Sequence, residues 1–375
     1  MLFSCVVVFV QQIKCTTYQV NINASGTGPD PKHNSLWKPG NISELRSMIR
    51  LLLTFLITLP AAWSMGQVIH GTVLDKESGE PVDYADVFFD GTFLGTMTDE
   101  HGFFTLDVTR YSSRSLTISA MGYYPGSLSE FTAGKNYRVY LTPRVFAIEE
   151  AMVSAKSLTR ERLANLKLFR REFIGSTRYA KRCYILNEKD ITFNYGTDQD
   201  TLKAYASKPI RIQNLALGYE ISYYLDRFEY DRHAKTVVYT GSIIFLKDLG
   251  TDPGSLTRYE RRRAYAYAGS ATHLFRALWA HALKNSGFKV QDYGTSEILT
   301  EEEMVFQDST GRKYFYYPED LRIDYYTRLS YISCLKKRVY FEPDGFFDPT
   351  GLLWSGTISE QRIADFLPYE YEPAR

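Results

Sequence analysis

Gly95-Thr96-Met97-Thr98-Asp99-Glu100-His101-Gly102-Phe103-Phe104-Thr105-Leu106-Asp107-Val108 carries the reading of the fold. Phe104, Leu106 and Val108 alternate with Phe103, Thr105 and Asp107. A period of two places the first set on one face of a strand and the second on the other. Asp99 to Gly102 reads as a turn, since Asp bonds nearby backbone N–H groups and Gly accepts a reversed backbone. The same grammar extends to both sides. Val68–Leu74, Val82–Phe89 and Leu94–Thr98 read as strands, with turn chemistry over Asp75–Glu80 and a hairpin signal at Asp90-Gly91. Leu116–Ala120, the stretch around Tyr123, and Tyr137–Leu141 bring the number of strands to about seven. Short strands at regular spacing with Gly-rich turns predict a β-sandwich over residues 67–145.

One spacing is specific. Gly71-x-Val73, Asp75, Gly79-x-Pro81, Ala85-x-Val87, Gly95-x-x-Thr98-Asp99-x-x-Gly102-x-Phe104-x-Leu106 and Ser119-x-x-Gly122-Tyr123 keep their intervals together. The series resembles the carboxypeptidase-like regulatory domain, a transthyretin-like seven-stranded sandwich common in exported proteins of Gram-negative bacteria. The resemblance covers about 75 residues and implies an accessory, non-catalytic module. A zinc carboxypeptidase needs His-x-x-Glu, and no such pair is present. His70, His101, His233, His273 and His281 are followed at that spacing by Val73, Phe104, Thr236, Arg276 and Lys284. Asp99 to Gly102 is too short for an EF-hand-like calcium loop. Ile148-Glu149-Glu150-Ala151-Met152-Val153 is similar to the segment that follows this sandwich in TonB-dependent receptors. Only about 220 residues remain after it, too few for a plug and a large barrel, so the transporter reading is rejected.

Upstream, Met48-Ile49-Arg50 precedes a nearly apolar run from Leu51 to Leu59, which Pro60 ends. Ser64 and Gly66 then set small residues at −3 and −1 of a cut before Gln67. A basic start, a short apolar core and small residues at the cut make 48–66 a signal peptide. The run is shorter than the roughly 20 residues that span a bilayer. Segment 1–47 reads as a spurious or disordered extension, with Met48 the true initiator. The expected mature protein is exported to the periplasm or the outer-membrane periphery, with at most peripheral membrane contact. No Cys follows the signal in a lipid-anchor position. Cys183 and Cys334 remain in the mature chain, either as one bridge or as two thiols.

The net charge is +1 with 23% charged residues, a balance that gives no global pull toward nucleic acid or an anionic membrane, and nucleic acid is not an expected partner. Residues 146–158 read as a linker and 159–375 as an α+β domain. Its expected parts are a helix over Thr159–Ile174 with Leu163, Leu166, Phe169 and Phe173 on one face, strands through Cys183–Phe245 forming an antiparallel sheet, and a helix capped by Ser270 and stopped by Gly287, with Leu274, Phe275, Leu278, Trp279, Ala282 and Leu283 as its apolar stripe. Strands return over Met304–Tyr326 and Ser330–Phe341. Phe169 to Pro373 is similar to the companion region of short envelope proteins that carry this sandwich, a resemblance that implies no established activity. His273 and His281 lie eight residues apart and read as structural. Arg258-Tyr259-Glu260-Arg261-Arg262-Arg263, the densest basic cluster, reads as a salt-bridged surface segment, with binding of phosphate or lipopolysaccharide as the alternative.

The fold class is therefore mainly β: an N-terminal seven-stranded sandwich, then an antiparallel sheet packed with a few helices. No Gly-rich phosphate loop, Gly-x-Ser-x-Gly elbow or Cys-x-x-Cys is present, and no catalytic residue, cofactor or metal ligand is assigned. The expected role is non-catalytic contact with an envelope protein or glycan. The rival is a hydrolase of glycan or peptide using dispersed carboxylates: Asp190, Glu229, Asp248, Glu260 and Asp324.

Overall fold

The structure is a computed structural model that describes residues 67–111, 113–144, 160–195 and 200–374. The expected extension 1–47, signal 48–66 and linker 146–158 lie outside the described residues.

Seven strands build the first layer pair: β1 (Val68–Asp75), β2 (Asp86–Phe88), β3 (Gly95–Met97), β4 (Phe103–Asp107), β5 (Leu116–Ser119), β6 (Gly126–Leu128) and β7 (Asn136–Leu141). They form a three-stranded sheet β4-β1-β7 and a four-stranded sheet β3-β2-β5-β6. In β4 the alternation is realised, with Phe104 and Leu106 buried and Phe103, Thr105 and Asp107 exposed. The turn residues have local jobs. Thr98 is buried; its hydroxyl accepts from the Ala85 N–H at 2.8 Å and donates to the Val82 carbonyl at 2.9 Å. Asp99 accepts from the N–H groups of His101 and Phe103. Gly102 has φ +71°, and a Cβ there would stand 2.6 Å from the Val73 carbonyl oxygen. The second strand is shorter than expected because Tyr84 adopts φ +50°, which breaks extended backbone before Asp86.

Helix α1 (Arg160–Phe169) follows and runs into a π-helical turn over Arg170–Ile174. Leu166, Phe169 and Phe173 are buried as the apolar pattern predicts, and Gly175 ends the element. Leu163 departs from it, 51% exposed. Its turn is held instead by Arg162, which donates to the Ile191 and Glu188 carbonyls. These rings pack on a six-stranded antiparallel sheet made of β8 (Cys183–Ile185), β9 (Ile191–Tyr195), β10 (Thr201–Ala206), β11 (Ile210–Asn214), β12 (Tyr219–Asp231) and β13 (Thr236–Asp248). Its order is β8-β11-β12-β10-β9, with β13 along the other side of β12.

Helix α2 (Pro253–Tyr267) was not foreseen, because Tyr, Arg and Glu give it no apolar stripe. Asp252 caps it by accepting from the Ser255 N–H at 2.9 Å. In α3 (Ala271–Trp279), Ser270 is the cap, as expected. This helix ends before Gly287 because His281 takes φ +50°. Two further antiparallel sheets enclose it: β14-β17-β18-β20 and β15-β16-β19. Their strands are β14 (Phe288–Asp292), β15 (Val305–Gln307), β16 (Lys313–Phe315), β17 (Leu321–Tyr325), β18 (Arg328–Cys334), β19 (Val339–Phe341) and β20 (Leu352–Gly356). Phe275 stands at the centre of this second core among Phe315, Phe341, Phe347 and Trp354. The one antiparallel sheet expected after the sandwich is thus three sheets around two cores. Among the described residues, no helix is long and apolar enough to cross a membrane.

Cys183 (β8) and Cys334 (β18) lie in different sheets and are free thiols. Burial pushes the Cys183 thiol up to about 12.

The tail contributes a buried carboxylate. Asp365 accepts from the Thr177 hydroxyl at 3.1 Å and is 7% exposed. Burial pushes its carboxyl up to about 6, against the partial offset of that hydrogen bond. A raised carboxyl gives stability that is complete below its ordinary pKa and lost as pH rises through the folded value. His273 titrates in the opposite sense. Its ring packs between Tyr267, Phe288 and Tyr325, and burial depresses it to about 4. His273 is common to both proteins, so the difference between Asp365→Asn and wild type isolates the carboxylate. That difference should shift toward the variant by up to about 3 kcal/mol between about pH 4 and pH 7. Urea unfolding at each pH checks this, and a pH-independent difference would refute it.

Candidate functional site

The sandwich meets the rest of the chain through the Asp90-Gly91 tip and through Arg114. The Gly91 N–H donates to the Ile243 carbonyl at 2.8 Å, and the Asp90 carboxylate accepts from the Ile243 N–H at 2.6 Å. The Phe245 N–H donates to the Thr92 carbonyl at 2.9 Å. Strand β13 is an outer strand of its sheet, so this loop satisfies backbone groups that would otherwise be open for pairing. The C-terminal tail closes over the same tip: the Tyr369 N–H donates to the Gly91 carbonyl, and the Phe93 N–H donates to Glu370 Oε1.

Arg114 is the second joint. It is 4% exposed and bonds the carboxylates of Glu342 and Asp344. Its guanidinium carbon lies 4.7 Å, 4.4 Å and 4.9 Å from the ring centroids of Tyr111, Phe346 and Tyr369. Burial alone would depress its pKa, but the Asp344 and Glu342 charges outweigh this and leave it raised. Glu342 also accepts from the hydroxyls of Ser113 and Tyr340. Arg276 fixes the backbone beyond, donating to the carbonyls of Asp344, Tyr369 and Tyr371.

Beside this joint opens a cleft of about 750 Å³, within the range of small-molecule sites. The sandwich supplies Arg110, Tyr111, Ser113 and Glu130. The facing wall is Trp279 at the end of α3, the Thr310–Arg312 turn between β15 and β16, and Tyr340 to Asp344. Lys313 lies with its ammonium 4.6 Å from the Trp279 ring centroid and donates to the Trp279 carbonyl. Burial, with the hydrogen bond to Glu342, pushes Tyr340 up to about 12, so its phenol stays a neutral donor. Arg110 and Arg312 are exposed, and neither is ion-paired among the described residues.

The carboxylates named for the hydrolase reading are elsewhere. Glu229 pairs with Arg227 and Lys203, Asp324 with Arg322, and Asp190 accepts from Asn187. Only Asp248 and Glu260 come together, and they do so on Arg263. That arginine is 2% exposed, which corrects the surface reading of the 258–263 cluster at Arg263, while Arg258 and Arg261 remain exposed. Its guanidinium also donates to the Leu217 and Gly218 carbonyls and lies 4.0 Å from the Tyr219 ring centroid. None of the five carboxylates lines the cleft. His281, 3.3 Å from Glu302, is likewise outside its lining. Among the described residues, no group of His, Cys, Asp and Glu could hold a metal ion.

The sandwich with its Thr98, Asp99 and Gly102 devices decides the module. Residues 69–153 match the family model described as CarboxypepD_reg-like domain. The CarboxypepD_reg-like domain therefore supplies one wall of the cleft, and the region after residue 153 supplies the other. No curated protein matches the chain. Two solved structures show weak likeness, each with 10% identity and a TM-score of 0.16. One is a "putative carbohydrate binding protein" from Bacteroides uniformis, with 77% of this chain and 98% of that one covered. The other is a "putative membrane-associated protein of unknown function" from Bacteroides fragilis, covered at 77% and 94%. A score of that size carries no argument about function.

Proposed function

We propose that the protein is a non-catalytic binding protein of the cell envelope and that the cleft beside Arg114 takes a glycan. The observation that carries this reading is the pairing of aromatic rings with fixed polar groups in one 750 Å³ space. Sugar rings offer C–H faces that pack on Trp and Tyr, and hydroxyls that both donate and accept. Trp279 and Tyr340, both partly exposed, provide the faces, Arg110 and Arg312 the donors, and Glu130 an acceptor. The buried acids suit binding better than hydrolysis. Glu342 already accepts from Arg114, Ser113 and Tyr340, so its oxygens are taken up by the protein's own donors rather than presented to a substrate. The reading of 48–66 as a signal peptide supports a role outside the cytoplasm.

Calorimetric titration with a panel of oligosaccharides tests the proposal. Trp279→Ala should weaken the best binder about 30-fold. Trp279 is half-buried against Phe341, so Arg312→Ala provides a control on an exposed side chain, with weaker binding and an unchanged melting temperature. A protein that binds no oligosaccharide, or variants that bind as wild type does, would remove the reading. Release of reducing sugar from a bound oligosaccharide would favour the hydrolase instead.

A further inference from the structure

The basic run that the sequence presents as a salt-bridged segment is mostly unpaired in the fold. Asp248 and Glu260 are both taken by buried Arg263, so the remaining arginines of α2 keep their charge facing water. Arg258 and Arg261 are exposed, and Arg262 is half-buried with one N–H on the Ala216 carbonyl. Two neighbours add to them. Arg178 and Arg328 lie 3.7 Å and 4.8 Å from the ring centroid of Tyr265, one helical turn further along. The Tyr179 hydroxyl donates to the Arg262 carbonyl, which ties the Arg178 turn to the helix. None of these five arginines is ion-paired among the described residues, on a chain whose net charge is only +1. The Arg328 and Arg178 guanidiniums also draw the Tyr265 phenol below the ordinary tyrosine range.

We propose that this face is a docking surface for an anionic lipid bilayer. From Arg258 to Tyr265 the charges extend over about 10 Å of helix and are open to water. An enclosed site for a single small anion has buried donors, whereas Arg178, Arg258 and Arg261 are exposed. The aromatic residues separate a bilayer from a soluble polyanion. Tyr265 is 50% exposed among the charges, and Tyr326, two residues before Arg328 at the β17–β18 turn, is 80% exposed. Amphipathic rings beside cations suit the headgroup layer of a membrane, where the ring is partly withdrawn from water and the phenol stays hydrated. The proposal is independent of the glycan cleft, which shares no residue with this face.

Co-sedimentation of the full chain with phosphatidylcholine vesicles, with and without phosphatidylglycerol, tests it. Wild type should bind only the phosphatidylglycerol vesicles, and added salt should release it. The variant Arg178→Gln/Arg258→Gln/Arg261→Gln should bind on the order of 100-fold more weakly, with an unchanged melting temperature because its side chains are exposed. Tyr265→Ser/Tyr326→Ser should weaken binding while leaving its salt dependence in place. The apolar segment Leu51–Leu59 is common to all these proteins, so it does not enter the ratio between variant and wild type. Equal binding by the arginine variant, or equal binding of wild type to both vesicles, overturns the proposal. So does capture by soluble polyphosphate or heparin without vesicle binding, which would make the occupant a soluble polyanion.

Discussion

Replacing Arg114 with methionine should lower the free energy of unfolding by about 3–5 kcal/mol. Methionine preserves most of the side-chain volume among Tyr111, Phe346 and Tyr369, so the loss reflects charge more than cavity. Glu342 and Asp344 would be left as partly or wholly buried carboxylates without their cation, and that is the expensive state. The same reasoning predicts a rescue. Arg114→Met/Glu342→Gln/Asp344→Asn removes all three charges and should recover more than half of the loss, since a buried ion cluster replaced as a whole is often near neutral. Denaturant unfolding of the three proteins gives the numbers. A single-variant loss under about 1 kcal/mol would mean that Arg114 is in effect a surface pair. The site would change with the fold, because Tyr111, Glu342 and Asp344 line the cleft.

Gly91→Val should cost about 3 kcal/mol or more, through two separable effects. Gly91 has φ +72°, a conformation that costs a β-branched residue on the order of 1–2 kcal/mol. A Cβ would also stand 2.3 Å from the Tyr369 ring, so the tail must shift, and Tyr369 is one of the rings over Arg114. Gly79 separates the two effects. Its φ is +75°, with nothing within 4 Å of an added Cβ, so Gly79→Val carries strain alone. Thermal unfolding should place Gly91→Val well below Gly79→Val. Equal losses would show that the tail does not press on the tip.

Sequence alone determined the sandwich, because its information is local. The alternation in Phe103–Val108, Gly102 with its left-handed backbone, Thr98 and Asp99 each act within a few residues of their own position, and local rules suffice to read them. The Ser270 cap and the stripe of α3 were legible for the same reason. Asp90-Gly91 was read correctly as the tip of a connection, but its contacts with Ile243 and Tyr369 were beyond reach. Only tertiary structure decided the cleft and the fate of the charges. Arg114 and Glu342 are 228 residues apart, and no spacing rule links an arginine flanked by Ser113 and Ser115 to an acid in a distant turn. The 258–263 run fails for a related reason. Its charges are identical in sequence terms, yet the fold gives both nearby acids to Arg263 and leaves its neighbours facing water. Ionic pairing is a property of three-dimensional neighbourhood and burial, and these are set by packing among strands that are remote along the chain.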